Sequence, residues 1–138
     1  MIGVDTNILA RYFCDDPRDP QAARQRPLAR RVMVESTAVF VPLTVVLEFE
    51  SVMRGFYELP VDTFCQTVEH LLGMPNITVE RWEAVKDALD LHRQGLDFAD
   101  ALHWACAATC TRFVSFDDRK FVRRARKLKR APEVTFPQ

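Results

Sequence analysis

Asp5, Glu48, Asp100 and Asp117 are the residues of this chain whose type and company point to chemistry. Asp5 ends the short apolar run Ile2 to Val4, and Asp117 ends the run Arg112 to Phe116. Glu48 is bracketed by Leu47 and Phe49, at the border of an apolar stripe formed by Val45, Phe49, Val52 and Phe56. Asp100 stands in Phe98-Ala99-Asp100-Ala101-Leu102, where a purely structural helix has no use for an acid. Carboxylates brought together raise one another's pKa, so such a set is kept chiefly where a cation neutralises it. Oxygen ligands without a nearby histidine suit Mg²⁺ or Mn²⁺ rather than zinc. An ion of that kind acidifies a bound water and orients it for attack on a phosphodiester.

Each acid alone also has a plain structural use. Asp5 could cap the first helix, and Glu48 could be a solvated boundary residue. Asp97 precedes a helix whose third position is Asp100, which resembles a capping box, so Asp97 reads as a cap. Of Asp117 and Asp118, the second lies nearer the basic helix that follows and reads as its cap, leaving Asp117 for the site. Ser115 has no histidine placed as its base, so it reads as an orienting hydroxyl and not a nucleophile. His103, Cys106 and Cys110 have the spacing of zinc ligands on a helix, but free cysteines more often pack as small apolar residues.

These side chains need strands to end beside them and helices to follow. Ile2 to Val4 reads as a strand, with Thr6-Asn7 able to cap a helix from Ile8. Pro20 suits the first position of a helix running to about Ser36, which Pro27 should kink or split. Ala38 to Val41 is a strand stopped by Pro42, followed by a helix on which Val45, Val46, Phe49, Val52, Met53 and Phe56 recur at helical spacing. A helix from Asp62 to about Leu72, a strand from Ile77 to Val79 and a helix from Arg81 to Gln94 closed by Gly95 come next. An alanine-rich helix from Asp97 to about Cys110, a strand from Arg112 to Phe116, a basic helix and a last strand from Glu133 to Phe136 complete the chain. Strands alternating with helices predict one α/β domain over residues 1–138, a central parallel sheet with helices on both faces. In such sheets ligands bind beyond the carboxyl ends of the strands, which are the positions of Asp5 and Asp117.

Composition excludes some classes of function. The chain has 138 residues, 48% of them hydrophobic and 28% charged, as expected of a soluble single domain. No apolar run reaches the roughly 20 residues that span a bilayer, so no membrane role is expected. The start lacks the basic-then-apolar order of a signal peptide, so a cytoplasmic protein is expected. Four cysteines without a Cys-x-x-Cys pair fit neither a disulfide scaffold nor a zinc ribbon. Nineteen basic and nineteen acidic residues cancel, yet the signs are segregated. Arg119, Lys120, Arg123, Arg124, Arg126, Lys127, Lys129 and Arg130 crowd one stretch, a density suited to phosphate contacts. Arg119, Lys120, Arg123, Arg124 and Lys127 are the candidate contacts to a polyanion, with Arg11, Arg24, Arg26, Arg30 and Arg31 as candidate extensions of the patch.

Taken in order, Val4-Asp5-Thr6-Asn7, Val46-Leu47-Glu48-Phe49, Phe98-Ala99-Asp100-Ala101-Leu102 and Val114-Ser115-Phe116-Asp117 resemble the PIN domain. More narrowly, the chain is similar to the VapC toxins of toxin–antitoxin pairs. The resemblance runs from residue 2 to about 128, and its force lies in the order of the four motifs, each common alone. It implies that Asp5, Glu48, Asp100 and Asp117 bind Mg²⁺ or Mn²⁺ and carry catalysis. It places supporting polar residues at Asn7 and Ser115, with Thr6 between Asp5 and Asn7. The activity implied is endoribonuclease cleavage of an RNA substrate. The partners implied are a VapB-type antitoxin that covers the acidic site and a second copy in a homodimer. Asp118 departs from the family, where a basic or neutral residue is more usual.

Three rivals remain on the page. A phosphohydrolase with an aspartyl nucleophile on its first strand wants an acid two residues later, and Asn7 stands there. A PIN-like RNA-binding module without catalysis would be expected to have lost acids, and all four are present. A PIN nuclease with a housekeeping role in RNA processing differs from a toxin only in its gene context and target.

Overall fold

Short strands of β-branched residues and helices with one apolar face build an α/β fold of parallel strands. The computed structural model describes residues 1–138. They form two compact units, Met1–Trp82 and Glu83–Gln138.

In the first unit β1 (Ile2–Gly3), β2 (Val39–Val41) and β3 (Ile77–Val79) form a parallel sheet in the order β1-β2-β3. Ile2 pairs with Val39, and Val39 with Ile77. The helices are α1 (Thr6–Phe13), α2 (Pro20–Glu35), α3 (Leu43–Gly55) and α4 (Val61–Gly73). Leu9, Met33, Val39, Val41, Val46, Phe49, Val68 and Leu71 are buried. The Phe49 ring lies 6.1 Å from those of Phe13 and Phe64, centroid to centroid. Burying each such side chain contributes roughly 1.5–3 kcal/mol. Among the other aromatics, Phe64 is core, Phe56 is exposed, and Tyr12 and Tyr57 are half-buried.

Several local expectations are corrected. α1 starts at Thr6, capped by Asp5, so Thr6 and Asn7 are helical and not caps. α2 is continuous through Pro27. It begins with Pro20 at its first position under an Asp19 cap, and Pro27 itself is exposed. Of the apolar residues spaced along α3, Val46, Phe49 and Met53 are buried as expected, joined by Glu50, while Val45 and Val52 are half-buried and Phe56 is exposed. Glu50, 5% exposed, pairs with Arg54 one turn on, 3.0 Å away. Pro42 offers α3 no side-chain cap, and the Glu80 carboxylate instead accepts from Leu43 N at 2.8 Å.

The second unit contains α5 (Trp82–Arg93, all but its first residue), α6 (Phe98–Cys106), β4 (Arg112–Val114), α7 (Arg123–Leu128) and β5 (Glu133–Thr135). One wide π-helical turn, Asp118–Val122, precedes α7. β4 and β5 are parallel, with Phe113 opposite Val134, and the π turn and α7 form the crossover between them. Trp104 stacks edge-on against Phe121 at 6.0 Å and donates Nε1–H to Pro132 O at 2.9 Å. The alanine-rich helix stops at Cys106 and not Cys110. The chain turns there instead, Cys110 N donating to Ala107 O at 3.0 Å. β4 ends at Val114, two residues short of the expected Phe116.

Gly95 ends α5 as the sequence predicts, with φ at +104°. Leu96 N donates to Leu91 O and Gly95 N to His92 O, the paired bonds of a Schellman cap. A Cβ on Gly95 would meet nothing within 4 Å, so substitution there is a matter of backbone strain alone. Gly95→Ala is expected to destabilise the fold by roughly 1–2 kcal/mol, read in a denaturant melt. No loss would mean the backbone turns without the positive φ.

Candidate functional site

Both units present the acids singled out by sequence, and each positions its own pair. In the first unit the ladder continues one residue past β1, Val4 N donating to Phe40 O at 3.1 Å. Val4 is buried, which fixes the backbone as it delivers Asp5 to the surface. Asp5 Oδ1 accepts from Ile8 N at 3.2 Å, capping α1. The second oxygen has no protein partner, so capping and metal binding are compatible uses of one side chain. Thr6, buried, donates its hydroxyl to Oε1 of the exposed Glu48 in a short hydrogen bond from α1 to α3. Asn7 is exposed on the first turn of α1.

The Thr6–Glu48 bond was not anticipated. Its signal in the sequence was slight: a hydroxyl residue directly after Asp5, at a first-turn position that turns inward. Glu48 is exposed and not part of the apolar face, so its orientation depends on Thr6.

In the second unit Asp97 caps α6, its Oδ2 accepting from Asp100 N at 3.3 Å, as the sequence predicts. Asp100, in the first turn of α6, is half-buried. Burial pushes its carboxyl above the ordinary range, and the nearby charges of Asp97 and Asp117 push it further, against a smaller opposing pull from His103. Three acids therefore share one field in this unit, and the pressure on Asp100 is the signature of a place that a cation would relieve.

Asp117, not Asp118, is the cap of the basic segment: its Oδ1 accepts from Lys120 N at 3.1 Å, and its carbonyl accepts from Val122 N at 3.0 Å. The segment opens with a wide i to i+5 turn whose first residue is Asp118, which puts Asp117 in the cap position. Asp118 is an exposed residue within the turn. Ser115 Oγ accepts from Asp117 N at 3.0 Å, holding the backbone that carries the acid. The orienting role expected of Ser115 is thus exerted on Asp117 itself.

The basic stretch divides in two. Arg119, Lys120, Arg123 and Lys127 are exposed around the buried Phe121, Val122 and Ala125. Arg124 donates to Gly95 O at 2.7 Å, tying the basic helix to the end of α5. Arg130 pairs with Asp87 and lies over the Trp104 ring, 5.8 Å from its centroid. Arg124 and Arg130 therefore do structural duty first. In the first unit, Arg26 pairs with Asp15 at 2.7 Å, and Arg11 reaches Gln25, Tyr57 and Asp19, so neither extends the basic surface as an unpaired charge.

Neither unit gathers three or more His, Cys, Asp or Glu side chains into a protein-only metal cage, and His103, Cys106 and Cys110 form no zinc site. The donors that are present fit a hard cation. They are carboxylates only, two of them keep an oxygen without a protein partner after capping, and one is under unneutralised negative field. Mg²⁺ is ordinarily held in that way, by one or two carboxylates with water filling the octahedron.

A profile of the PIN domain matches residues 2–127, a stretch that runs through both compact units. No curated protein matches the chain. No helix is long and apolar enough to cross a membrane.

Proposed function

The chain belongs to the PIN-domain family, and from that premise we propose that it is a metal-dependent endoribonuclease, the toxin of a VapBC-type pair. PIN domains are generally nucleases, which supports phosphodiester hydrolysis. The observation that carries the metal is the raised Asp100 carboxyl beside Asp97 and Asp117. We take the whole chain, residues 1–138, as one PIN domain working in the cytoplasm.

Asp5, Glu48, Asp100 and Asp117 are the proposed metal ligands and catalytic acids. When bound, Mg²⁺ or Mn²⁺ supplies an acidified water and neutralises charge on the leaving oxygen. The chain's own residues do the positioning. Thr6 holds Glu48 in one rotamer, Ser115 holds the Asp117 backbone, and the cap bonds of Asp5 and Asp117 leave one oxygen each for the ion. Asn7, two residues after Asp5 in the first turn of α1, is a supporting polar group. Arg119, Lys120, Arg123 and Lys127 would hold the RNA backbone through its phosphates, with Arg124 contributing what its bond to Gly95 O leaves.

The toxin reading is supported by the order of the four sequence motifs. It carries with it a VapB-type antitoxin and a homodimer as partners. Purified full chain should cleave single-stranded RNA in Mg²⁺ or Mn²⁺, lose that activity in excess EDTA and recover it when the metal is restored. Cleavage undiminished by EDTA would overturn the metal mechanism. A small reading frame beside the gene whose product silences the cleavage would support the toxin, and a nuclease indifferent to any such product would be a housekeeping enzyme.

A further inference from the structure

Phe116 is 79% exposed, although it sits directly between Ser115 and Asp117. Its ring meets that of Phe136 edge to face, centroids 5.7 Å apart at 83°. Phe136 is 43% and Val114 45% exposed, so a small apolar platform lies open at the ends of β4 and β5. Single exposed apolar residues are ordinary on protein surfaces. Here two rings and a valine stand together, in a chemical setting that suits a nucleic acid. The next residue is a proposed metal ligand, and Arg119, Lys120 and Arg123 follow within seven residues, all exposed.

The backbone under Phe116 is fixed on both sides. Ser115 N donates to Thr135 O at 3.0 Å, Asp117 N to Ser115 Oγ at 3.0 Å, and Asp118 N to Phe116 O at 2.9 Å. An exposed ring on a fixed backbone loses little freedom when something stacks on it. The edge-to-face contact with Phe136 braces the pair and leaves ring surface open to solvent. Aromatic rings beside a cationic track are how proteins hold single strands without reading their sequence, bases on the rings and phosphates on the cations. In a duplex the base faces are already stacked and cannot reach such a platform.

We propose that Phe116, braced by Phe136, is a stacking platform for an unpaired nucleobase next to the scissile phosphate. This rests on the nuclease reading above and adds a positioning residue to it.

The test uses full-length chain and an oligoribonucleotide carrying 2-aminopurine, whose fluorescence is quenched by stacking, with EDTA present so that binding is read without turnover. Wild type should quench the probe and bind the single strand at least about tenfold tighter than Phe116→Ala does. Phe116→Trp should keep the quench, and Phe116→Leu, apolar but without a ring, should lose it. Thermal melts should be alike, because the side chain is exposed. Quench and affinity equal to wild type in Phe116→Leu would overturn the platform. So would unchanged RNA binding in Phe116→Ala with a shift in oligomeric state, which would make the patch an interface between copies. RNA cleavage by wild type in Mg²⁺ is measured beside these. Cleavage without a ring-dependent quench sinks the platform and leaves the nuclease standing. Ring-dependent quench without cleavage does the reverse, and neither binding nor cleavage overturns both.

Discussion

Asp5→Asn is expected to cut RNA cleavage by at least about a hundredfold while leaving the melting temperature nearly unchanged. Losing even an outer partner of a metal ligand typically costs 10- to 100-fold, and Asp5 is proposed as a ligand itself. The fold should not notice, because Asp5 also caps α1 through Oδ1, and asparagine caps a helix as well as aspartate does. The contrast with Asp5→Ala separates the two uses. Alanine removes the cap as well as the charge and should destabilise by about 1 kcal/mol, with activity no lower than in the asparagine variant. Wild-type cleavage by Asp5→Asn in Mg²⁺ would leave Asp5 a cap and nothing more.

Asp100→Asn should act on activity and stability in opposite directions. Activity should fall at least about a hundredfold, as for any direct metal ligand, while the metal-free protein becomes more stable at neutral pH. The sign follows from the raised carboxyl. An unfolded aspartate titrates near 4, whereas in the fold burial, Asp97 and Asp117 hold Asp100 protonated to higher pH. The first turn of α6 favours an acid, but those three effects outweigh it. Between the unfolded and folded values the native state binds more protons, so stability falls as pH rises through that window. Above the folded value the whole penalty of the charge is present, and a neutral asparagine does not carry it. Melts in EDTA should therefore favour the variant at pH 7, and the two proteins should converge as pH is lowered past the ordinary aspartate range. A variant less stable at pH 7 would show that the Asp100 charge is welcome without metal. Added Mg²⁺ should narrow the gap by raising the melting temperature of wild type alone.

Periodicity and punctuation made much of the fold legible. β-branched runs bounded by proline or acids located β2 and β3, and Gly95 marked the end of α5 because only glycine takes its φ without strain. Asp97 was readable as a cap because capping is local, needing only a carboxylate three residues before the amide it accepts from. The candidate acids were readable for a related reason: an acid set in apolar sequence is costly unless something uses it. Order and residue type along the chain were enough to point to the PIN family, which the profile match then showed.

Hydrogen bonds between distant residues were decided only by tertiary structure. Nothing in Leu47-Glu48-Phe49 announces that Thr6, 42 residues earlier, holds the Glu48 carboxylate. Asp117, not Asp118, is the cap because the basic segment opens with a wide turn closed by Val122 N on Asp117 O. Packing decided which side of α3 faces inward, burying Glu50 and leaving Phe56 exposed. The basic stretch read as one uniform patch, yet Arg124 and Arg130 are bound to partners 29 and 43 residues away. Residue types and their local spacing thus nominated the chemistry, because charge and capping act over a few ångströms along the chain. Which oxygen is held, which is left for a metal and which ring stays open were set by contacts across it.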